Sequence, residues 1–318
     1  PVVDINTNPK NPIIGNRSFG ESTENVALKS LNYMYGQQEM NILSSAKHFP
    51  GHGDTSTDSH KTLPFINHEK QRIFNTELKP FKTLIDNGLE SVMIAHLEVP
   101  SLESVNGLPS TLSYSIVTSL LKNTLGFKGL IITDALEMKG LSTFKSNGNL
   151  DMLAFKAGND VLLMSANISE GIKSIINEYD KGRILEERLA YSVKKILKAK
   201  YKVGLNNFLP ISKNNLYNDL NSVENSLLYE ELVEKSITVV KNNDNILPII
   251  NLKSTIGYLN FGNDDYMIFF DALTKYSKID HLNDLDILKS ESASFIESNY
   301  KTIITVSYTH LTLPTNRC

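Results

Sequence analysis

The sequence holds a single cysteine and no tryptophan. One cysteine, Cys318, excludes an intrachain disulfide and any zinc site built from several thiolates. No apolar run approaches the roughly 20 residues that a membrane-spanning helix needs. An excess of charge is also missing: 32 Lys+Arg against 35 Asp+Glu leave a net charge of -3. That disfavours a general nucleic-acid binder, which carries a basic footprint. What the chain does have is apolar material. At 318 residues, 41% hydrophobic and 21% charged, it can bury a substantial core and is no disordered segment. The length is too great for one small module and suits a single large α/β barrel or two domains.

Short apolar runs alternate with helical patterns, which predicts βα units around a parallel sheet. The expected strands are 42–47, 91–95, 129–133 and 160–164. Helices are expected over 69–87, with Pro80 as a bend or break, and over 115–125, ending before Gly126. A longer one, 184–201, carries an apolar stripe of Leu185, Leu189, Val193, Ile196 and Leu197, with Gly204 as its stop. Residues 204–222 read as a linker, rich in Asn and turn formers. A second unit, 223–307, is expected to hold a helix at 223–235, a strand at 236–241, a strand at 255–261, a helix at 266–276 and a strand at 302–306. The last eleven residues, 308–318, follow no helical pattern and resemble a translated adapter, foreign to a native protein.

The densest chemistry lies in Lys47-His-Phe-Pro-Gly-His-Gly-Asp-Thr-Ser-Thr-Asp-Ser-His-Lys-Thr-Leu-Pro64, which holds three of the seven histidines. It directly follows an expected strand, so it sits at a strand's C-terminal end, the catalytic face of a barrel. Asp58 and His60 stand two apart, close enough for the carboxylate to orient the imidazole and raise its pKa. Such a dyad suits general acid–base work near neutrality. The competing reading is an ordinary polar loop, and from the residues alone the two are evenly matched. His48, His52 and His60 could also supply nitrogens to a metal, but Pro50, Gly51 and Gly53 prevent a helical i, i+4 pair.

Three further segments end or border strands. Gly129-Leu-Ile-Ile-Thr-Asp-Ala-Leu-Glu-Met138 closes on Asp134, which serves equally as a nucleophile or as the cap of a following helix; Glu137 is the competing carboxylate. Val92-Met-Ile-Ala-His96 ends in a histidine, and a lone histidine is more often a structural hydrogen-bonder than a catalyst. Gly15-Asn-Arg-Ser-Phe-Gly20 offers Arg17, either a surface residue or a clamp for a hydroxyl or carboxylate.

Together these segments, with Pro1-Val-Val-Asp-Ile-Asn and Ala157-Gly-Asn-Asp-Val161, resemble glycoside hydrolase family 3, and specifically its β-N-acetylglucosaminidase branch. The resemblance implies a (β/α)8 TIM-type barrel over 1–203, with its first strands lying upstream of Pro1, followed by the start of an α/β sandwich. The chain is thus expected to be a fragment at both ends. Residue by residue, Asp134 matches the catalytic nucleophile. His60 with Asp58 matches the acid/base of this branch, where other branches use a Glu from the second domain. Lys47, His48 and Arg17 match residues that hydrogen-bond the terminal sugar, and His96 is carried as a further substrate-binding candidate.

The resemblance implies a carbohydrate substrate, a terminal β-linked N-acetylglucosaminide of peptidoglycan or chitin type, with no metal or organic cofactor and no nucleic-acid partner. It implies a bacterial enzyme and leaves its localisation open, since multi-domain members of the family are often envelope or secreted proteins and single-domain ones cytoplasmic. The alternatives are a phosphorylase of the same fold, a β-glucosidase, and a non-catalytic sugar-binding barrel.

Overall fold

A computed structural model describes residues 1–57, 62–141, 150–261, 267–282 and 290–307. Asp58 and His60 lie outside the described residues, as does 308–318. The chain divides into two compact units at Ile211/Ser212.

The first unit is built on three parallel strands in the order β1 (Ser45–Phe49), β2 (Ser91–Ile94), β3 (Leu130–Thr133). Ser91 pairs with Ser45 and Leu130, and Ile94 with Thr133. Single parallel bridges, Val2 to Lys47 and Ile132 to Val161, continue the ladder on both sides. Parallel neighbours need crossovers, and helices supply them. α1 (Thr23–Glu39) precedes β1; α2 (Lys70–Asn75) and α3 (Leu78–Asp86) link β1 to β2; α4 (Ser115–Thr124) links β2 to β3. After β3 come α5 (Leu150–Ala157), α6 (Ile168–Asp180) and α7 (Glu186–Lys202).

The pleat sorts the side chains by face. Ala46, Val92 and Ile131 are fully buried and share one core with Phe81 and Leu84 of α3 and Ile116, Val117 and Leu121 of α4. Their alternates Ser45, Lys47, Met93 and Ile132 are only half-buried. The strands therefore present one face to helices and another to a partly open space.

The helix expected over 69–87 is two helices. The break falls at Thr76–Glu77, and Pro80 lies in the first turn of α3, where a missing N–H is no loss. α4 is wound as a wide π-helix along its length, its last bond running from Leu125 N–H five residues back to Leu120 O, and Gly126 follows at φ +75°, so the chain leaves it through a left-handed residue.

The apolar stripe expected on α7 stays largely open, with Ile196 alone of its five residues half-buried. Leu189, Val193 and Leu197 are 36–59% exposed, while Ser192 is buried. The helix is held by its other face, where Arg188, Ser192 and Lys195 gather on the buried carboxylate of Asp160. Asp160 also accepts Ile131 N–H at 2.9 Å, and Arg188 donates to Phe155 O at 2.9 Å and Asn159 O at 2.6 Å. A buried carboxylate must find donors, and this need overrides the apolar pattern.

The second unit contains α8 (Leu216–Leu220), α9 (Val223–Ser236), β4 (Ile256–Phe261), α10 (Met267–Thr274), β5 (Ile279–His281), α11 (Ser290–Asn299) and β6 (Thr302–Ser307). Its strands form a parallel sheet in the order β5-β4-β6 over a core of Ile256, Tyr258 and Ile279 with Phe270, Leu273, Ile304 and Val306. The strand expected at 236–241 does not form. α9 runs to Ser236, and Ile237, Val239 and Val240 are exposed with no ladder partner; β-branched residues favour a strand only where a neighbour takes up the hydrogen bonds. The short β5 was not expected from the sequence. Among the described residues, no helix is long and apolar enough to cross a membrane.

Candidate active site

Because β1, β2 and β3 are parallel, their C-terminal ends meet along one edge, and the pairing of β1 with β2 shifts by one residue between Ala46 and Phe49. Lys47 and His48 lie at the end of β1, His96 two residues beyond β2, and Asp134 immediately after β3. Backbone hydrogen bonds fix the alignment: Ala95 N–H donates to Phe49 O at 2.8 Å, and Asp134 N–H to Ile94 O at 2.9 Å.

The centre of this edge is organised by a residue that sequence reasoning missed. Asp4 is 1% exposed. It accepts the backbone N–H of His52 at 2.7 Å and that of His48 at 3.2 Å, and its Oδ2 lies 2.7 Å from His48 Nδ1. Burial alone would raise its pKa; the facing His48 charge and the hydrogen bonds from His48 and His52 outweigh that and hold the carboxyl below the usual carboxylate range. As a carboxylate it takes the Nδ1 hydrogen of His48, which leaves Nε2 as the outward nitrogen. A signal was present: a lone charged residue inside the apolar run Val2-Val-Asp-Ile5 is buried only when paired.

His52 packs edge-to-face on His48, with ring centroids 6.0 Å apart. Its Nδ1 lies 2.7 Å from Thr55 Oγ1, and Asn11 Nδ2 donates to His52 O at 2.8 Å. Burial, with the nearby His48 charge, lowers the His52 pKa; Asp4 and Asp134 pull the other way without prevailing. Two histidines considered for a metal are therefore turned toward Asp4 and Thr55. Gly53 is obligatory here, since a Cβ would sit 1.8 Å from Ile5 O. Farther along the same loop, Asp54 Oδ2 meets His68 Nε2 at 2.5 Å and Arg72 at 3.7 Å; Arg72 also reaches buried Glu77 at 3.0 Å. The loop is thereby tied to α2.

Asp134 is half-buried, and its Oδ1 accepts Ala135 N–H at 2.8 Å. His96 is fully buried. Its Nε2 donates to Ala135 O at 3.0 Å, and its Nδ1 lies 2.6 Å from Thr111 Oγ1. Arg17 is exposed, with Nη1 donating to Ile13 O at 3.2 Å. Arg17 and Lys47 line a common cavity of about 430 Å³, together with Phe19, Tyr33, Gln37 and Met93. The structure thus brings Lys47, His48, His96 and Asp134 to one edge and puts Arg17 on a cavity with Lys47.

A half-exposed carboxylate at a strand end, on the same sheet edge as a lysine and a carboxylate-oriented histidine, can attack an electrophilic carbon while neighbouring donors hold polar substrate groups. Comparison with known proteins agrees in kind. Residues 1–199 match the model of the glycosyl hydrolase family 3 N terminal domain. Beta-hexosaminidase A of Pseudoalteromonas piscicida is 33% identical over 298 residues, covering 87% of this chain and 49% of its own. A solved family 3 beta-N-acetylglucosaminidase from Paenibacillus sp. str. FPU-7 superimposes with a TM-score of 0.73 at 28% identity, over 96% of this chain and 61% of that one. A beta-glucoside phosphorylase, BglX, gives 0.78 at 23% identity, over 96% of this chain and 59% of that one, a likeness of fold alone. The chain spans about half the length of the curated relatives it matches.

Proposed function

The chain belongs to glycosyl hydrolase family 3, and from that premise we propose that its protein is a retaining exo-glycosidase that removes terminal β-linked N-acetylglucosamine. The first unit has a TIM-barrel-like α/β fold; closure as an eight-stranded barrel and a second unit that opens an α/β sandwich belong to the proposal. The observation that carries the reading is the shared edge of three parallel strands, where Asp134 stands with Lys47 and the Asp4-oriented His48.

In this reading Asp134 attacks the anomeric carbon while His60, an imidazolium supported by Asp58, protonates the leaving oxygen. The glycosidic bond breaks as the Asp134 ester forms, through an oxocarbenium-like transition state. Neutral His60 then takes a proton from water, the water oxygen displaces Asp134, and the sugar leaves with its configuration retained. Lys47, His48 and Arg17 hold hydroxyls of the terminal sugar. The relatives' printed names support N-acetylglucosamine as that sugar, and we take the substrate to be a peptidoglycan fragment in which it is β1,4-linked to a muramic acid residue.

A chromogenic panel tests this. The full-length protein should cleave the 4-nitrophenyl β-N-acetylglucosaminide in preference to the glucoside, and Asp134→Ala should be inert. His60→Ala should lose most on substrates with poor leaving groups. Preference for the glucoside, or an active Asp134→Ala variant, would sink the reading. Sugar 1-phosphate formed only in phosphate buffer would replace it with the phosphorylase.

A further inference from the structure

An aspartate that attacks an anomeric carbon must be aimed, because misplacement by about 1 Å costs on the order of 10²-fold in rate. The Asp134 carboxylate is oriented locally, through Oδ1 and Ala135 N–H at 2.8 Å. That bond aims the side chain only if residue 135 is itself immobile. Three contacts hold it. Ala135 O accepts His96 Nε2 at 3.0 Å and Met138 N–H at 3.1 Å, and Leu136 N–H donates to Leu163 O at 2.9 Å. The peptide between residues 135 and 136 is gripped at its oxygen and at its nitrogen.

Among the described residues, His96 is the side chain in that grip. A carbonyl oxygen only accepts, so Nε2 carries the hydrogen. Nδ1 faces the Thr111 hydroxyl at 2.6 Å, and that hydroxyl lies 2.6 Å from Ala95 O. Thr111 is anchored in turn, its own carbonyl accepting Asn159 Nδ2 at 2.9 Å. The imidazole is wholly buried.

We infer that His96 is a positioning residue for Asp134, acting through the Ala135 carbonyl rather than on the substrate. This rests on the reading of Asp134 as nucleophile, and it replaces the substrate contact expected of His96 from the sequence.

The experiment compares His96→Phe, which removes the donor, with His96→Gln, which keeps an N–H near the position of Nε2, in the full-length protein. His96→Phe should lower kcat by ~10²-fold with KM within about threefold, and His96→Gln should recover most of the loss. The loss should be equal for good and poor leaving groups, unlike that of an acid/base variant. A 5-fluoro N-acetylglucosaminyl fluoride, which traps the glycosyl-enzyme, should label Asp134 in the parent and label the Phe variant more slowly. Thermal midpoints separate misfolding from misaiming. If the label maps to Asp134 but the Phe variant reacts as fast as the parent, or KM rises while kcat holds, or Gln does no better than Phe at equal midpoint, this inference is overturned and the nucleophile stands. A label on another carboxylate removes both.

Discussion

His48 Nδ1 lies 2.7 Å from Oδ2 of Asp4, a carboxylate with no exposed side-chain surface and 44 residues away in sequence. One buried charge thereby fixes the rotamer and tautomer of a strand-end histidine and satisfies two backbone N–H groups of the loop behind it. Asp4→Ala would leave all of these donors unpaired. Breaking a buried pair on one side costs about 3–5 kcal/mol, so a loss of that order is expected in urea unfolding, with KM for the glycoside rising as His48 loses its orientation. A midpoint within experimental error of the parent would show that the contact is incidental.

Stability should fall as the pH drops below neutrality because of His52. Its folded pKa is lowered from the ordinary 6.5, chiefly by burial. Below about 6.5 the unfolded chain takes up a proton that the folded chain refuses, so the folded state loses ground until its own pKa is passed. Asp4, also lowered, acts in the same direction in a more acid window, below its ordinary 3.8. Thermal midpoints measured from pH 7 to pH 5 should decline, and His52→Asn should flatten that slope. An unchanged slope in the variant would assign the decline to other groups.

α7 is docked by charge, and its removal should be selective. Asp160→Ala leaves Lys195 and Arg188 facing a buried void, at a cost of about 3–5 kcal/mol. Hydrogen exchange should accelerate throughout α7 and in β3, where Ile131 N–H loses its acceptor. Leu197→Ala, on the exposed stripe of the same helix, should change stability by no more than about 0.5 kcal/mol.

Gly53 and Gly88 separate two reasons for glycine. At Gly53 a methyl would meet the Ile5 carbonyl at 1.8 Å, and backbone cannot step aside. Gly53→Ala should cost about 3 kcal/mol or more through overpacking. At Gly88 nothing lies within 4 Å, but φ is +88°, so Gly88→Ala should cost only the ~1–2 kcal/mol of a left-handed backbone. Equal midpoints for the two variants would refute the distinction.

Much of the frame was legible along the chain. The runs 91–95 and 129–133 become β2 and β3 almost residue for residue, and 255–261 becomes β4, because a short apolar run bounded by turn residues suits a pleated, half-buried surface. The position of Asp134 at a strand end follows directly. The run at 42–47 was placed early: β1 begins at Ser45 and takes in His48 and Phe49, since the ladder runs with Ser91 and Val2, partners that no local pattern reveals. The stripe on α7 points the wrong way for a related reason. Amphipathicity says that a helix has a face to bury, but the pull of Asp160, 28 residues before Arg188, decided which face was buried.

Residue types and spacing were enough to establish alternating strands and helices, a polar glycine-rich loop after a strand, and a carboxylate where a strand stops. These depend on period and turn chemistry, which are local. The partners of each polar group were decided only when the chain folded: Asp4 for His48, Thr55 for His52, the Ala135 carbonyl for His96. A buried donor or acceptor must be satisfied by whatever the packing brings within about 3 Å, and that neighbour comes from another strand or loop. The sequence therefore named candidate groups, while the tertiary structure determined which neighbour each of them meets.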